Sequence, residues 1–176
     1  MRGHGESSGR IGSVPVTDLI ADAKSLVQRL GRCVLVGSSL GGIVAAHAAA
    51  AASQHVVALC LIAPALELLG SIERHLDRDG CMQTSNGVRF PVPANVIADA
   101  KALDEASLPG RLTVPTLSVH GTDDTVIPCA ASERFFAAIP HARKDLWIVP
   151  GGDHRLAEQA TALWRRLDRF VDVTAQ

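Results

Sequence analysis

The sequence has almost no net charge and no long apolar run, and these absences exclude several classes of protein. With a formal net charge of −1, the chain has no electrostatic basis for binding nucleic acid or an anionic membrane surface. No apolar run approaches the roughly 18 residues that a membrane span needs. The polar N-terminus carries no apolar segment of the signal-peptide type. We therefore expect no nucleic-acid partner and no membrane-spanning segment.

Cysteines are few and widely separated. The four cysteines form no Cys-x-x-Cys pair; they are Cys33, Cys60, Cys81 and Cys129. This pattern argues against disulfides and against a zinc site, and a reducing cytoplasm is the expected location. The sequence also lacks internal repeats. With 176 residues and an apolar fraction of 47% it can bury a sizeable core, so a single domain over residues 1–176 is expected.

Short apolar runs alternate with helical patterns along the chain. The runs predict strands at residues 32–37, 56–62, 115–120 and 145–149. The helical patterns predict helices at residues 17–30, after Gly42, at 95–106, near 130–139 and from Arg155. Apolar runs without polar alternation are typical of parallel strands covered on both faces. The repetition of strand and helix therefore predicts an α/β fold with a parallel sheet and right-handed crossovers.

The first predicted helix carries candidate caps at both ends. Thr17 or Asp18 can cap its start with a side-chain oxygen, and Gly31 can end it. These residues place the helix between the N-terminal loop and the first predicted strand.

Residues 65–113 interrupt the alternation of strands and helices. They contain charged residues, Pro91 and Pro93, and an Asn86-Gly87 pair, which is typical of a hairpin turn. We interpret this segment as an insertion that lies over the site like a lid. Its apolar residues mildly favour an apolar acyl substrate, although packing onto the sheet explains them at least as well; they are Leu66, Leu68, Leu69, Ile72, Phe90, Val92 and Val96.

The most informative stretch joins the first predicted strand to an Ala-rich helix. It reads Gly37-Ser38-Ser39-Leu40-Gly41, a Gly-x-Ser-x-Gly pattern with Ser39 at its centre. A strand that turns into a helix within so few residues holds the central residue strained and outward, and the flanking glycines leave room. An ordinary Ser/Gly turn is the alternative, but the strand before and the helix after favour a nucleophile elbow. Ser39 is therefore the candidate nucleophile.

A carboxylate and a histidine follow the two later predicted strands. Asp124 lies in the loop after strand 115–120, and His154 lies in the loop after strand 145–149. The carboxyl ends of parallel strands form the ligand-binding edge of such a sheet, so both side chains are expected near Ser39. A histidine near neutrality removes the serine proton, and a carboxylate orients the ring and stabilises the imidazolium. The pattern thus predicts a Ser–His–Asp triad.

Other residues near the predicted site have weaker assignments. Asp123 is the second choice for the acid, with a solvated loop carboxylate as its alternative role, and Glu67 is the third. Ser38 is expected to pack against or hydrogen-bond near Ser39. Structural roles, or no assigned chemistry, are expected for His4, His47 and His120.

Four segments together resemble the α/β-hydrolase superfamily. The segment that resembles its elbow is Gly37-Ser38-Ser39-Leu40-Gly41-Gly42, and the one that resembles its acid loop is His120-Gly121-x-x-Asp124-x-x-x-Pro128. Asp153-His154-Arg155 resembles its histidine loop, and Arg2-Gly3-His4-Gly5-Glu6-Ser7 resembles the loop after its fourth strand. The elbow combined with Asp-His-Arg is similar to a small branch of carboxylesterases and acyl-protein thioesterases. The resemblance covers nearly the whole chain. It implies a partial α/β-hydrolase fold, with a parallel sheet of about four strands, helices on both faces and a small lid insertion.

The resemblance begins only at the loop after the family's fourth strand. The earlier strands are therefore expected to be absent, through a start codon placed too late or a truncated gene. Within the family, the loop after the third strand supplies the second N–H donor of the oxyanion hole. Here only the Leu40 N–H is identifiable as a donor. If these residues supply the second donor, the Gly3–Gly9 stretch is its candidate source. The strand at 32–37 then becomes an exposed apolar edge, which favours self-association.

These features predict a serine hydrolase of carboxylic esters or thioesters. Ser39 is the expected nucleophile, His154 its base, Asp124 the acid that orients His154, and Leu40 the oxyanion donor. The expected partner is a small-molecule ester or thioester, and no metal or organic cofactor is expected. One alternative is a catalytically impaired or non-enzymatic fragment with an incomplete oxyanion hole. An acyltransferase with the same triad fits the sequence equally well.

Overall fold

The structure, a computed structural model, describes residues 1–174 of the chain. Within this range the strands are β1 (Cys33–Ser38), β2 (Val56–Ile62), β3 (Cys81–Gln83), β4 (Arg89–Pro91), β5 (Thr116–Gly121) and β6 (Lys144–Val149). The α-helices in the same range are α1 (Val16–Leu30), α2 (Leu40–Ala51), α3 (Ala94–Ala102), α4 (Cys129–Ala137) and α5 (Ala160–Thr174). Short 3-10 helices occur at Ser53–His55, Leu69–His75 and Pro109–Arg111.

Four of the strands form one parallel sheet in the order β1-β2-β5-β6. These are the four apolar runs of the sequence, and the observed ends lie within a residue or so of the predicted ones. Because every pair is parallel, all four carboxyl ends lie at one edge of the sheet. The predicted parallel sheet of about four strands is confirmed.

Helices cover both faces of this sheet. Leu59 and Leu61 of β2 belong to a core that also contains residues of α1, α2 and α3. Cys60, between them, belongs to a second core formed with Leu117 and Val119 of β5 and with α5. Successive side chains of a strand point to opposite faces, so the two cores lie on opposite sides of the sheet. This explains why the strands are apolar without alternation.

The start of α1 differs from the prediction, whereas its end agrees. The helix begins at Val16, after Pro15, and no side chain caps it. Thr17 instead uses its N–H and its hydroxyl to bind the carboxylate of Asp99, 82 residues later in the chain. Gly31 ends the helix with a φ of 72° and an N–H that donates to the Val27 carbonyl at 3.1 Å.

The predicted helix at 95–106 is too long, because α3 ends at Ala102. The chain is extended at Leu103, and the carboxylate of Asp104 then accepts hydrogen bonds from the N–H and the hydroxyl of Ser107. A carboxylate that binds the backbone ahead of it stabilises a turn in place of a helix.

The last helix begins later than predicted, at Ala160 rather than near Arg155. Asp153 Oδ1 accepts the N–H groups of Arg155 and Leu156 at 3.0 and 2.7 Å, and Leu156 has a φ of 49°. A left-handed residue interrupts a right-handed helix. The turn after His154 is therefore a separate loop.

The Asn86-Gly87 pair forms the predicted hairpin turn between β3 and β4, with Gly87 at a φ of 87°. This hairpin packs against the N-terminal segment. A Cβ atom at Gly12 would lie 2.2 Å from the ring of Phe90, so only glycine fits beneath that ring. The role of residues 65–113 as a lid stays a prediction.

Candidate active site

Ser39 occupies the sharp turn between β1 and α2. Its φ is 52° and its ψ is −124°, a conformation that costs a non-glycine residue on the order of 1–3 kcal/mol. Backbone hydrogen bonds maintain this conformation: its N–H donates to the Ile62 carbonyl and its carbonyl accepts the Ala65 N–H, both at 3.0 Å. A Cβ atom at Gly37 would lie 2.2 Å from the Gly41 carbonyl oxygen. Gly37 thus allows the turn to close, whereas a Cβ atom at Gly41 would meet nothing within 4 Å.

A chain of hydrogen bonds runs from Ser39 to the interior of the protein. The Ser39 hydroxyl lies 3.0 Å from His154 Nε2, although 115 residues separate them in sequence. His154 Nδ1 lies 2.7 Å from Asp124 Oδ2. The three residues follow β1, β5 and β6, at the carboxyl edge of the sheet. A hydroxyl, an imidazole and a carboxylate in this geometry can form a nucleophile, a base and the group that orients the base.

The Asp124 carboxylate is fully buried and accepts several hydrogen bonds. Its side chain is 0% exposed. Oδ1 accepts the N–H groups of Val126 and Ile127 at 2.8 and 2.9 Å, and Oδ2 accepts a ring N–H from His154 and another from His120. Burial alone would raise the pKa of this carboxyl. The two histidines and the two backbone N–H groups more than offset that effect and hold its pKa far below the ordinary value, so Asp124 is an anion at neutral pH.

The other two candidate acids are directed elsewhere. The exposed Asp123 carboxylate accepts a hydrogen bond from the Thr122 hydroxyl at 2.8 Å. Glu67 forms an exposed ion pair with Arg134, also at 2.8 Å. No hydrogen bond between either carboxylate and His154 is found among residues 1–174.

Ser38 and His4 lie at the cavity beside Ser39 without joining the hydrogen-bond chain. Ser38 is the exposed last residue of β1 and lines the cavity. His4 also lines it, and its Nδ1 lies 3.1 Å from the carbonyl of Arg2. Nothing in their contacts assigns either residue a role in proton transfer.

His47 lies on the sheet-facing helix α2 and is 8% exposed. Its Nε2 is buried and finds no hydrogen-bond partner in the described part of the chain. Burial lowers the pKa of His47 to about 4, with Arg111 adding to the decrease and Asp104 opposing it. His47 is therefore neutral near pH 7.

His120, for which the sequence predicts a structural role, lies near the end of β5 beside the loop that carries Asp124. Its Nε2 lies 2.9 Å from Asp124 Oδ2 and its Nδ1 lies 2.7 Å from the hydroxyl of Ser132. The spacing His120-Gly121-x-x-Asp124 carried a signal for the first contact. Nothing in the sequence indicated the second, because Ser132 lies on a separate helix.

The oxyanion side of Ser39 is built from backbone. Leu40 is the first residue of α2, so its N–H has no partner within the helix and lies at the positive end of the helix dipole. Three N–H groups of the Gly3–Gly9 stretch are already occupied: that of Gly3 donates to Ser8, that of His4 to Met1 and that of Ser7 to His4. The role of Leu40 as oxyanion donor stays a prediction.

A cavity of about 570 Å³ adjoins Ser39 and His154. Its wall is mainly apolar and includes Leu40, Leu68, Leu69, Ile72, Val92 and Val96. Phe90 and Met82 of the hairpin also line it, as do Arg2, His4 and Arg10 of the N-terminal segment. Six of the seven apolar residues singled out in the insertion face this cavity; Leu66 lines a different one.

The described residues form neither a metal-binding cluster nor a membrane-spanning helix. Among residues 1–174, no group of three or more His, Cys, Asp and Glu side chains is placed to hold a metal ion. In the same range, no helix combines the length and the apolar character of a membrane span.

A parallel sheet with a serine at a strand–turn–helix elbow, followed by carboxylate and histidine loops at the same edge, defines an α/β-hydrolase. The solved structure of α/β-hydrolase domain-containing protein 10 from mouse superposes with a TM-score of 0.80 and 28% identity, over 97% of this chain and 75% of that one. Est1E from Butyrivibrio proteoclasticus, solved with ferulic acid, superposes with a TM-score of 0.78 at 21% identity, over 98% and 75% of the two chains. The fold class implied by the sequence is confirmed.

The chain belongs to the serine aminopeptidase S33 family, whose model matches residues 1–79 and 95–159. The hairpin at 80–94 lies outside that match. Mouse palmitoyl-protein thioesterase ABHD10, a mitochondrial protein, is 28% identical over 172 residues, or 90% of this chain and 58% of that protein. The bovine protein of the same name is likewise 28% identical and is covered over 56% of its length. The chain thus spans little more than half the length of these curated relatives.

Proposed function

We propose that this protein is a serine hydrolase of esters or thioesters that acts through Ser39, His154 and Asp124. The observation that carries the proposal is the hydrogen-bond chain from the strained Ser39 through His154 to the buried Asp124. Membership of a hydrolase family and similarity to named thioesterases support it.

The proposed reaction has two halves. In the first, Ser39 Oγ attacks the acyl carbon while His154 Nε2 takes the hydroxyl proton, which it then gives to the leaving oxygen or sulfur as that bond breaks. In the second, water attacks the acyl-serine, His154 takes a proton from the water, and the Ser39 hydroxyl is restored. The products are a carboxylic acid and an alcohol or thiol. Asp124 keeps His154 in the tautomer whose Nε2 is free to accept.

The negative oxygen of each tetrahedral intermediate is stabilised by the Leu40 N–H in this proposal. Hydrolases of this type ordinarily use two such donors, and loss of one costs on the order of 100–1000-fold in rate. The second candidate function is therefore a catalytically impaired hydrolase. The observation that favours it is that the Gly3 and His4 N–H groups, which lie near the cavity, are already bonded within their own loop.

We infer that the acyl group of the substrate is apolar. Leucine, isoleucine and valine are the largest group among the residues that line the cavity beside Ser39. Burial of apolar surface stabilises a bound chain by about 0.8 kcal/mol per methylene group. The similarity to proteins named palmitoyl-protein thioesterases is consistent with this. The predicted cytoplasmic location and the absence of a cofactor stay predictions, and the named relatives are mitochondrial.

The test is a matched series of substrates. p-Nitrophenyl esters and acyl thioesters with chains of two to sixteen carbons, roughly the range that such a cavity admits, are assayed with the purified protein. We expect kcat/KM to rise with chain length before reaching a plateau. Turnover that is highest for acetyl substrates would contradict the apolar acyl site, and absence of turnover with every substrate would favour the impaired hydrolase.

We also propose self-association through β1. This strand is paired on one side only within the described sheet, and Val36 beside its open edge is 42% exposed. Unpaired N–H and C=O groups next to apolar side chains form a template for another strand. An antiparallel pair of two β1 strands would satisfy both edges at once.

A further inference from the structure

His120 is fully buried and both of its ring nitrogens have partners. It lies near the end of β5 and is 0% exposed. Nδ1 is 2.7 Å from the hydroxyl of Ser132 on α4. Nε2 is 2.9 Å from Asp124 Oδ2 and 3.0 Å from the Ile127 carbonyl oxygen. The ring is thus fixed between β5, α4 and the loop that carries Asp124.

These partners determine where the ring hydrogen lies. An ionised carboxylate and a carbonyl oxygen can only accept hydrogen bonds, so Nε2 of His120 must carry a hydrogen. In the neutral ring Nδ1 then accepts, and the Ser132 hydroxyl supplies the donor. The Ser132 hydroxyl therefore stabilises the tautomer of His120 that directs an N–H at Asp124.

The consequence for Asp124 is that one carboxylate oxygen serves two imidazoles. Oδ2 accepts from His154 on the catalytic side and from His120 on the interior side, while Oδ1 accepts two backbone N–H groups. An ionised carboxylate offers about four acceptor positions, and here all of them are in use. The carboxylate cannot rotate without breaking a bond.

We propose that His120 is a positioning residue that acts on His154 through Asp124. Its N–H fixes the carboxylate and also withdraws part of the negative charge that Asp124 presents to His154. The pH at which His154 becomes a base is thus set partly by a residue that never touches the substrate. This inference rests on the proposed function, in which His154 is the base.

The physical effect of removing this N–H has a definite direction. With one donor fewer, Oδ2 presents more negative charge to His154 and stabilises its imidazolium. His154 then holds its proton to a higher pH, and the acid limb of the activity profile moves upward. The carboxylate also gains freedom to rotate, which misaligns the base and lowers kcat.

Other titratable groups lie near the rings of His120 and His154, and a substitution of His120 leaves them unchanged. His154 faces Asp124 and, across the cavity, the groups of the N-terminal segment; His120 faces Asp124. Cys129, at the start of α4, lies close enough to Asp124 that this carboxylate contributes to the rise in the pKa of its thiol, after burial and Glu133. The cavity groups on the N-terminal segment are Arg2, His4 and Arg10. A change in the pH dependence of activity that follows substitution of residue 120 alone is therefore assigned to His120.

The first readout is steady-state kinetics of three variants against pH. His120→Leu removes the donor, and His120→Gln keeps an N–H donor at the position of Nε2. Ser132→Ala removes only the hydroxyl that hydrogen-bonds Nδ1 of His120. We expect kcat of His120→Leu to fall roughly 10- to 100-fold with little change in KM. Its acid limb should move up by roughly 0.5–1 pH unit. His120→Gln should restore most of both losses, and Ser132→Ala should show a smaller change in the same direction.

The second readout does not depend on turnover. In protein labelled with ¹³C at histidine Cε1, the NMR titration midpoint of His154 is measured directly in each variant. We expect an upward shift in His120→Leu and in Ser132→Ala, with return toward wild type in His120→Gln. A midpoint unchanged in Ser132→Ala and in a folded His120→Leu would overturn the inference. If the wild type hydrolyses no substrate, the proposed function fails, whereas this titration still decides the role of His120.

Discussion

The two sides of Ser39 are built in different ways. On the proton-transfer side, side chains from loops after β5 and β6 converge, and every acceptor position of Asp124 is in use. On the proposed oxyanion side, the predicted donor is a single backbone N–H, that of Leu40 at the start of α2. The proton-transfer side depends on which side chains are present, whereas the oxyanion side depends only on backbone conformation. A sequence therefore indicates the proton-transfer side directly and the oxyanion side only through the elbow that shapes it.

The largest expected effect is on the atom that both sides serve. Ser39→Ala removes the nucleophilic oxygen, so we expect complete loss of labelling by a fluorophosphonate probe and loss of ester turnover. The measurement is gel fluorescence after labelling, with a thermal melt to show that the fold is intact. Ser38→Ala is the matched control and should label normally. Labelling that persists in the Ser39 variant, or depends on Ser38, would transfer the nucleophile to another residue.

The next effect tests the proton-transfer side. Asp124→Asn leaves a side chain of the same shape but removes the charge that orients His154 and stabilises its imidazolium. By comparison with other triads, kcat should fall by roughly 10⁴-fold. Asp123→Asn alters an exposed carboxylate bonded to Thr122 and should change kcat by no more than a few-fold. Steady-state assays of both variants decide between the two acids, and the reverse ranking would assign the role to Asp123.

The oxyanion side can be tested by deleting one backbone hydrogen. Leu40 is the first residue of α2, a position where proline is tolerated because its N–H has no helical partner. Leu40→Pro should therefore keep the helix and lower kcat by at least roughly 100–1000-fold, because proline also restricts the backbone of Ser39 before it. Leu40→Ala, which keeps the N–H but shortens the cavity wall, is the control and should affect mainly KM. Equal kcat values in the two variants, with circular dichroism showing intact folds, would exclude this N–H as an oxyanion donor.

A smaller effect, on assembly rather than chemistry, is expected at the strand that leads to Ser39. Val36→Lys places a charge beside the open edge of β1, and like charges would meet if two such edges paired. We expect the wild type to be oligomeric by size-exclusion chromatography with light scattering, and the variant to shift toward monomer. Val88→Lys changes a valine of similar exposure in the hairpin and should leave the mass unchanged. A wild-type protein that is monomeric at every concentration would remove the basis for edge pairing.

The comparison of the two sides also explains which parts of the structure could be predicted. The strands could be predicted, because unbroken apolar runs such as Val56–Ile62 have few ways to be buried other than inside a parallel sheet. The loops at their carboxyl ends predicted that Ser39, Asp124 and His154 would lie close together, and they lie within hydrogen-bond distance. Their catalytic roles stay predictions.

The errors share one physical cause. Thr17 does not cap α1, because it binds Asp99 from α3, and Leu156 delays α5 because Asp153 binds the backbone ahead of it. Ser132 was not recognised as a partner of His120 for a related reason. The first two contacts are side-chain hydrogen bonds that compete with local propensity. The partner or the geometry of all three contacts appears only in the folded chain.

The buried Nε2 of His47, which has no hydrogen-bond partner among residues 1–174, has a consequence for stability in acid. Its ordinary pKa is near 6.5 and its pKa in the fold is about 4, so below pH 6.5 the unfolded chain takes up a proton that the folded chain refuses. The free energy of unfolding should therefore fall as the pH drops from 6.5 toward 4, and His47 accounts for about 2–3 kcal/mol of that fall. Above pH 6.5 the contribution of His47 to stability is complete. Urea melts of the wild type and of His47→Leu at pH 7 and pH 4.5 would measure the difference, with parallel pH dependences contradicting it. Most of this loss occurs above the pH at which ordinary carboxylates take up protons, so mild acid weakens the fold through a histidine before it acts on the carboxylates.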